Sequence, residues 1–303
     1  MKYAYLIFFI FLVLISGCVN KTEKIDLNVV QEPGIVLNDS SVKAAIASVV
    51  SPKESYEYYD EMITYISQKL GWNIKIIQRR SYLEINDLIK NNEIDFAFVC
   101  SGAYIDGKSD FGMKILVAPV VNGNTTYNSF IIVNNNSNYT SLTDLRGKKF
   151  AFSDPLSNTG KFYPTYRLYL LHETPESFFG IDEQGRNNSF FTYSHDNSII
   201  AVAEQIAEGA AVDSLVYDDM KETHPDVIAK TRIIETSPPF GIPPVVVSKD
   251  IDPFLENRLR NIFLNMDKDE EGKKILTMVK IERFINLNDS AYDSIREMRK
   301  QIQ

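Results

Sequence analysis

The chain has 303 residues, with 32 Lys and Arg against 40 Asp and Glu and a formal net charge of −8. This acidic balance argues against a nucleic-acid partner, which asks for a basic face, and any anion site must be built locally against the global field. Two cysteines and three histidines (His172, His195 and His224, in no ligand spacing) leave neither a disulfide framework nor a metal centre.

In chain order, Lys2 is followed by an apolar run from Leu6 to Ile15 and then by Ser16-Gly17-Cys18. This is the pattern of a secretory signal over residues 1–17, with small residues before the cut. The run is too short for a spanning helix, which takes about 20 apolar residues. A cysteine directly after a small pair resembles a lipobox, in which Cys18 becomes the lipidated first residue. One acyl chain holds only marginally, so anchoring calls for two or more chains on Cys18. Residues 18–40, polar and broken by Pro33 and Gly34, are the expected lipid anchor and tether. The expected location is extracytoplasmic, on the outer face of the membrane or in the periplasm.

From Val42 strands and helices alternate. Val42–Val50 reads as a strand, Tyr56–Leu70 as a helix, Asn73–Ile77 as a strand, Leu83–Asn91 as a helix and Ile94–Cys100 as a strand. Cys100 is expected to be a small core residue. Lys114–Val121 and Ser129–Val133 read as strands on either side of a turn at Asn122-Gly123-Asn124. A second series follows: strand Lys148–Phe152, helix Asn158–Leu171, strand Phe190–Tyr193, helix Ser198–Glu208 and strand Ala210–Val216. Arg232–Glu235 and Val245–Val247 read as strands around a proline-rich stretch, and helices are expected over Pro253–Met266, Glu270–Val279 and Ala291–Arg299. Such alternation predicts an α/β fold with mostly parallel sheets. Two consecutive series and a return predict two lobes: residues 41–122 with 245–303, and residues 135–230. The crossings at 123–134 and 231–244 are the expected hinge, and the cleft between the lobes is the natural ligand site.

Three stretches carry candidate chemistry. Ser153-Asp154-Pro155-Leu156-Ser157-Asn158-Thr159-Gly160 joins a strand to a helix, where unpaired N–H groups and the helix dipole make an anion cradle. Ordinary N-capping by Ser157 or Thr159 is the competing reading. The loop is no P-loop, because Lys161 has no hydroxyl neighbour. His195, in Ser194-His195-Asp196-Asn197, stands at the C-terminal end of a strand, where open α/β sheets bind ligands; it suits an oxyanion as a cation or as a neutral N–H donor. Its competing reading is a residue that merely precedes the helix. Asp213 ends the run Gly209–Val212 and either accepts from a protonated oxyanion or caps the next element.

Together these stretches resemble the PhnD-like family, the substrate-binding proteins of phosphonate, phosphite and phosphate ABC transporters. Asp154-Pro155-x-Ser157-Asn158-Thr159-Gly160 is similar to the family loop Asp-Pro-x-Ser-Thr-Ser-Gly, with Asn158 in place of its Thr. Ser194–Ala203 is similar to its His-containing helix start, and Gly209–Tyr217 to the strand that follows. Leu145-Arg146-Gly147-Lys148-Lys149-Phe150 resembles the segment that opens the second lobe in many type II binding proteins. The resemblance spans about residues 42–285. It implies a two-lobed type II periplasmic-binding-protein clamp, each lobe a mixed, mostly parallel sheet flanked by helices. It also implies phosphoryl contacts from Ser157, Asn158, Thr159 and His195, a first-lobe contact from Tyr82, and a further donor from Ser101 or Tyr104. The implied partners are a small phosphorus oxyanion and an ABC permease, with no cofactor, and the protein is expected to be a monomer. Phe240, Ile242 and the surrounding prolines can make one wall apolar, but the stretch Pro238–Pro244 reads first as a plain rigid crossing.

Two other classes stay open on the residues alone. Ser157, His195 and Asp213 are the types of a hydrolytic triad, although no Gly-x-Ser-x-Gly elbow surrounds Ser157. A ligand-binding sensor lipoprotein would use the same clamp without a transporter. A different solute in that clamp, such as sulfate, is a third possibility.

Overall fold

The two α/β series each close into a separate sheet. The computed structural model describes residues 38–47, 49 and 52–302; the expected signal, Cys18 and nearly all of the tether lie outside the described residues. The first sheet holds β1 (Asn38–Ile46), β2 (Trp72–Gln78), β3 (Phe96–Phe98) and β4 (Lys114–Val120). The second holds β6 (Ser129–Asn134), β7 (Phe150–Phe152), β8 (Ser189–Phe191), β9 (Gly209–Asp213) and β10 (Thr231–Thr236). Between them a two-stranded ribbon pairs β5 (Thr126–Tyr127) with β11 (Phe240–Gly241). The chain then re-enters the first sheet as β12 (Val245–Val247) and β13 (Arg283–Ile285).

The strand orders are β13-β4-β12-β3-β1-β2 and β10-β6-β9-β7-β8. In the first sheet β1 to β4 run one way, with β12 inserted antiparallel between β3 and β4. In the second only β6 opposes the others. Both sheets are therefore mixed, with most strands of each running one way, the architecture of the type II clamp.

Alternation along the strands decides which side each residue covers. Val42 and Ala44 of β1 pack with Met62, Ile66, Leu259 and Phe263 of the helices Pro52–Leu70 and Pro253–Asn265. Ala45 faces the opposite side, with Ile85, Ile89 and Ala103. In the second sheet Phe150 stacks on Phe179 at 4.6 Å, while Ala151 turns to Ile199, Val202 and Val216 of the helices His195–Ala203 and Ser214–Thr223. Both faces of both sheets are covered. Each large apolar side chain removed from water contributes roughly 1.5–3 kcal/mol.

Some elements differ from the sequence expectation, each for a local reason. Ser129–Asn134 and Thr231–Thr236 were expected inside the crossings. They are paired strands of the second sheet, because Ile131, Ile132 and Val133 find partners on β9 and β10. The segments between the sheets thus shorten to about 121–128 and 237–244. The helix Ser101–Phe111 was not anticipated: Gly102 and Gly107 interrupt its apolar pattern, and it ends at Gly112 with φ 81°. The expected strand Ala210–Val216 stops at Asp213, whose side chain accepts from the N–H of Leu215 at 2.7 Å and starts a helix there. The last helix, Asp293–Ile302, belongs to neither sheet alone. Arg299 pairs with Asp106 at 2.9 Å and lies over the ring of Phe162 at 4.5 Å, touching both lobes.

Candidate functional site

The ends of β3, β7 and β9 and the ribbon converge on a set of buried polar side chains. After β7 the chain turns through Ser153–Ser157 into a π-helical turn, Asn158–Phe162, and then a helix, Tyr163–Tyr169. Ser157 caps this turn, its Oγ accepting from the N–H of Gly160 at 3.0 Å. Wide turns of this kind concentrate at binding sites because they leave N–H groups outside the helical ladder. Gly160 is required by its surroundings: a Cβ there would collide with Ser153 and come within 3.0 Å of His195 Cε1. Ser157, Asn158 and Thr159 are all fully buried. Lys161 turns away, its Nζ 4.0 Å from the centre of the Phe152 ring.

His195 is the first residue of its helix, with Ser194 as the cap, rather than a residue that precedes it. Its own N–H donates to the carbonyl of Val49 at 2.9 Å, across to the first lobe. Its Nδ1 accepts from the backbone N–H of Asp213 at 3.0 Å. A neutral ring that accepts at Nδ1 carries its proton on Nε2. Burial keeps it neutral, pushing the pKa down to about 3. Of the two forms considered from the sequence, the neutral donor is therefore the one present. Its Nε2 lies 3.3 Å from Ser157 Oγ.

This arrangement reverses a hydrolytic triad. A Ser-His-Asp triad needs Nδ1–H donating to the carboxylate and a bare Nε2 facing the serine. Here Nδ1 is occupied by an N–H donor and the Asp213 carboxylate caps a helix. No proton can pass from Ser157 to this imidazole. Burial pushes Asp213 up to about 7, partly offset by the N–H groups of Leu215 and Val216.

The first lobe supplies Tyr82, Cys100 and Ser101. Tyr82 opens the helix Tyr82–Lys90, and its N–H donates to Asp154 Oδ2 of the opposite loop at 3.1 Å. Cys100 is buried as expected; burial pushes its thiol up to about 11, while the N–H groups of Asn158 and Gly102 pull the other way. The two lobes meet backbone to backbone at Gly102, where a Cβ would fall 2.8 Å from the Asn158 nitrogen and collide with the Leu156 carbonyl.

Two expected donors are committed elsewhere. Ser101 Oγ donates to the carbonyl of Gly241 in the ribbon at 2.6 Å. Tyr104 donates to Asp289, which also pairs with Arg296 at 2.5 Å. One contributor was missed in the sequence. Tyr127, on β5, accepts from Asn158 Nδ2 at 3.3 Å and is buried. Its position in a two-residue strand carries no periodic signal, so only the fold brings it to the loop.

Several groups in this set lack partners. The hydroxyls of Tyr82 and Thr159 and the carbonyl oxygen of Asn158 are buried and make no hydrogen bond. A buried polar group without a partner costs about 1–3 kcal/mol. The two hydroxyls can donate to the acceptor oxygens of a small anion, whereas the Asn158 oxygen, an acceptor, asks for a donor such as a protonated oxygen. Among the described residues no group of three or more His, Cys, Asp or Glu is placed to hold a metal, and no helix is long and apolar enough to cross a membrane.

The chain also aligns with known proteins. Residues 44–292 match the family model described as ABC transporter, phosphonate, periplasmic substrate-binding protein. The phosphonates-binding periplasmic protein of Escherichia coli is 21% identical over 265 residues, covering 86% of this chain and 76% of the relative. The binding-protein component of an ABC phosphonate transporter from Pseudomonas aeruginosa superposes with a TM-score of 0.80 at 21% identity, covering 88% of this chain and 87% of the other. A Prochlorococcus marinus protein solved with methylphosphonate gives a TM-score of 0.77 at 19% identity, covering 88% and 99%.

Proposed function

This chain belongs to the periplasmic substrate-binding proteins of phosphonate ABC transporters, and from that premise we propose that its cleft binds a small phosphorus oxyanion and delivers it to an ABC importer. The observation that carries the proposal is the pair of buried, partnerless hydroxyls of Tyr82 and Thr159, together with the Nε2–H of His195 held against Ser157. One comes from the first lobe and two from the second, so a ligand joins the lobes. Ser157, Asn158 and Thr159 meet the phosphoryl oxygens together with His195 and Tyr82. Asp213 accepts from a protonated oxygen, a donor that sulfate lacks at neutral pH. Each hydrogen bond to a charged oxygen contributes roughly 1.5–3 kcal/mol, and several of them offset the cost of closing the clamp.

The lobes swing about the segments near 121–128 and 237–244, with the β5–β11 ribbon between them. The protein acts as a monomer held at the outer membrane face by lipid on Cys18. Calorimetric titration of the full chain in detergent with phosphite, phosphate, methylphosphonate and sulfate tests the reading. Micromolar or tighter binding of a phosphorus ligand, weakened by Ser157→Ala, is the expected result. Equal binding of sulfate, or no heat with any of them on folded protein, would sink it.

A further inference from the structure

The cradle is far smaller than the space beside it. A cavity of about 980 Å³ adjoins it, a size at the upper end of sites for drug-sized ligands, roughly 300–1,000 Å³. An inorganic oxyanion fills a small part of that. Two lining residues touch the cradle directly: Asp213 donates its N–H to His195, and Val49 accepts from the His195 N–H. The cavity is not simply the gape of an open clamp. Around the cradle the lobes are already in contact, through Tyr82 to Asp154, His195 to Val49 and Gly102 against Asn158.

The chemistry of the walls is lopsided. Beside Asp213, the lining on the strand ends and crossings that lead to the cradle is apolar, with Val49, Phe98, Val99, Leu215, Ile242 and Pro244, and the ring of Tyr59 packs on Phe98 at 4.7 Å. The Asp213 carboxylate is the polar part of this lining, with its Oδ1 taken by the N–H of Leu215 at 2.7 Å. The other charges of the lining lie on the segments 218–222 and 267–283, where Lys280 pairs with Asp219 at 2.9 Å and with Glu222 at 2.8 Å. Those pairs also join the last part of the first lobe to a second-lobe helix. A group leaving the cradle toward the cavity therefore meets hydrocarbon and aromatic surface first.

We propose that this cavity takes the organic substituent of the ligand, so that the chain prefers phosphonates with a bulky apolar group over phosphite, phosphate and methylphosphonate. The inference rests on the phosphorus-oxyanion reading of the cradle and names the ligand more closely. The test is calorimetry of the full chain in detergent with phosphite, methylphosphonate, butylphosphonate, phenylphosphonate and aminoethylphosphonate. Burial of each added methylene contributes about 0.8 kcal/mol, roughly fourfold in affinity. Butylphosphonate is expected to bind tens of times more tightly than methylphosphonate, and phenylphosphonate more tightly than aminoethylphosphonate. Leu215→Asn is expected to shrink the butyl-to-methyl affinity ratio by about tenfold, a ratio that a general loss of folded protein leaves unmoved. Methylphosphonate binding with weaker or absent binding of the butyl and phenyl ligands would overturn this inference while the oxyanion reading stands. An unchanged ratio in Leu215→Asn would also overturn it. Failure of every phosphorus ligand would overturn both.

Discussion

Tyr82 and Tyr104 are both buried tyrosines of the first lobe, each on a helix that begins near the cleft. Tyr82 keeps a hydroxyl with no partner. Tyr104 donates to Asp289, which is held by Arg296, which in turn pairs with Asp293 at 2.6 Å. The second cluster is complete within the chain and holds the last helix to the body. The first is incomplete within the chain, and under the proposed function the ligand supplies the missing hydrogen bonds. Polar burial thus has two uses here, and the partner count distinguishes them.

The sharpest way to break this comparison is His195→Ala, which removes the one ring donor. Affinity for the phosphorus ligand is expected to fall about 100-fold, near 3 kcal/mol, by calorimetry. Thr159→Val follows, at about 30-fold, with thermal stability unchanged or raised because the hydroxyl it deletes has no partner. A drop in melting temperature with unchanged affinity would assign Thr159 to the scaffold instead. Tyr82→Phe and Tyr104→Phe form the direct contrast. The first is expected to weaken binding about tenfold at constant stability. The second is expected to lower stability by about 1.5 kcal/mol in denaturant titration, with affinity within about twofold. The reverse pattern would dissolve the distinction.

The smallest effect is on pH, because two buried groups oppose one another. His195 is pushed down to about 3 from 6.5, so the unfolded chain protonates first as pH falls. Its contribution is full above about 6.5 and is lost between there and about 3. Asp213 is pushed up to about 7 from 3.8, so its contribution is full below 3.8 and is lost as pH rises toward 7. Between pH 4 and 6.5 the slopes oppose, and the unmutated chain is expected to show a shallow net dependence. Asp213→Asn should expose the histidine slope, with stability rising steeply from pH 4 to 6.5. A flat profile in that variant would show that His195 is not held neutral.

Much of this was legible in the sequence. The Ser157 loop, His195 and Asp213 stood at strand ends in the right order, and the two alternating series implied two sheets. The unread parts share a physical cause. The helix Ser101–Phe111 has glycines where its pattern needed apolar residues, and one of them, Gly102, is small because the opposite backbone lies against it. Tyr127 sits in a two-residue strand whose partner, Phe240, is more than a hundred residues away. The commitment of Tyr104 to Asp289, 185 residues away, lay beyond the reach of any local pattern.

The contact at Gly102 has a use in the laboratory. The lobes touch there through the main chain of Leu156 and Asn158 and the edge of the Phe162 ring, so the thickness of one methyl group sets how near they come. Gly102→Ala is in effect a doorstop, a spacer of fixed size placed at the seam rather than in the ligand's path. Paired fluorophores on the two lobes would then give a calibrated ajar signal, against which the gape of the native clamp is read like a dial.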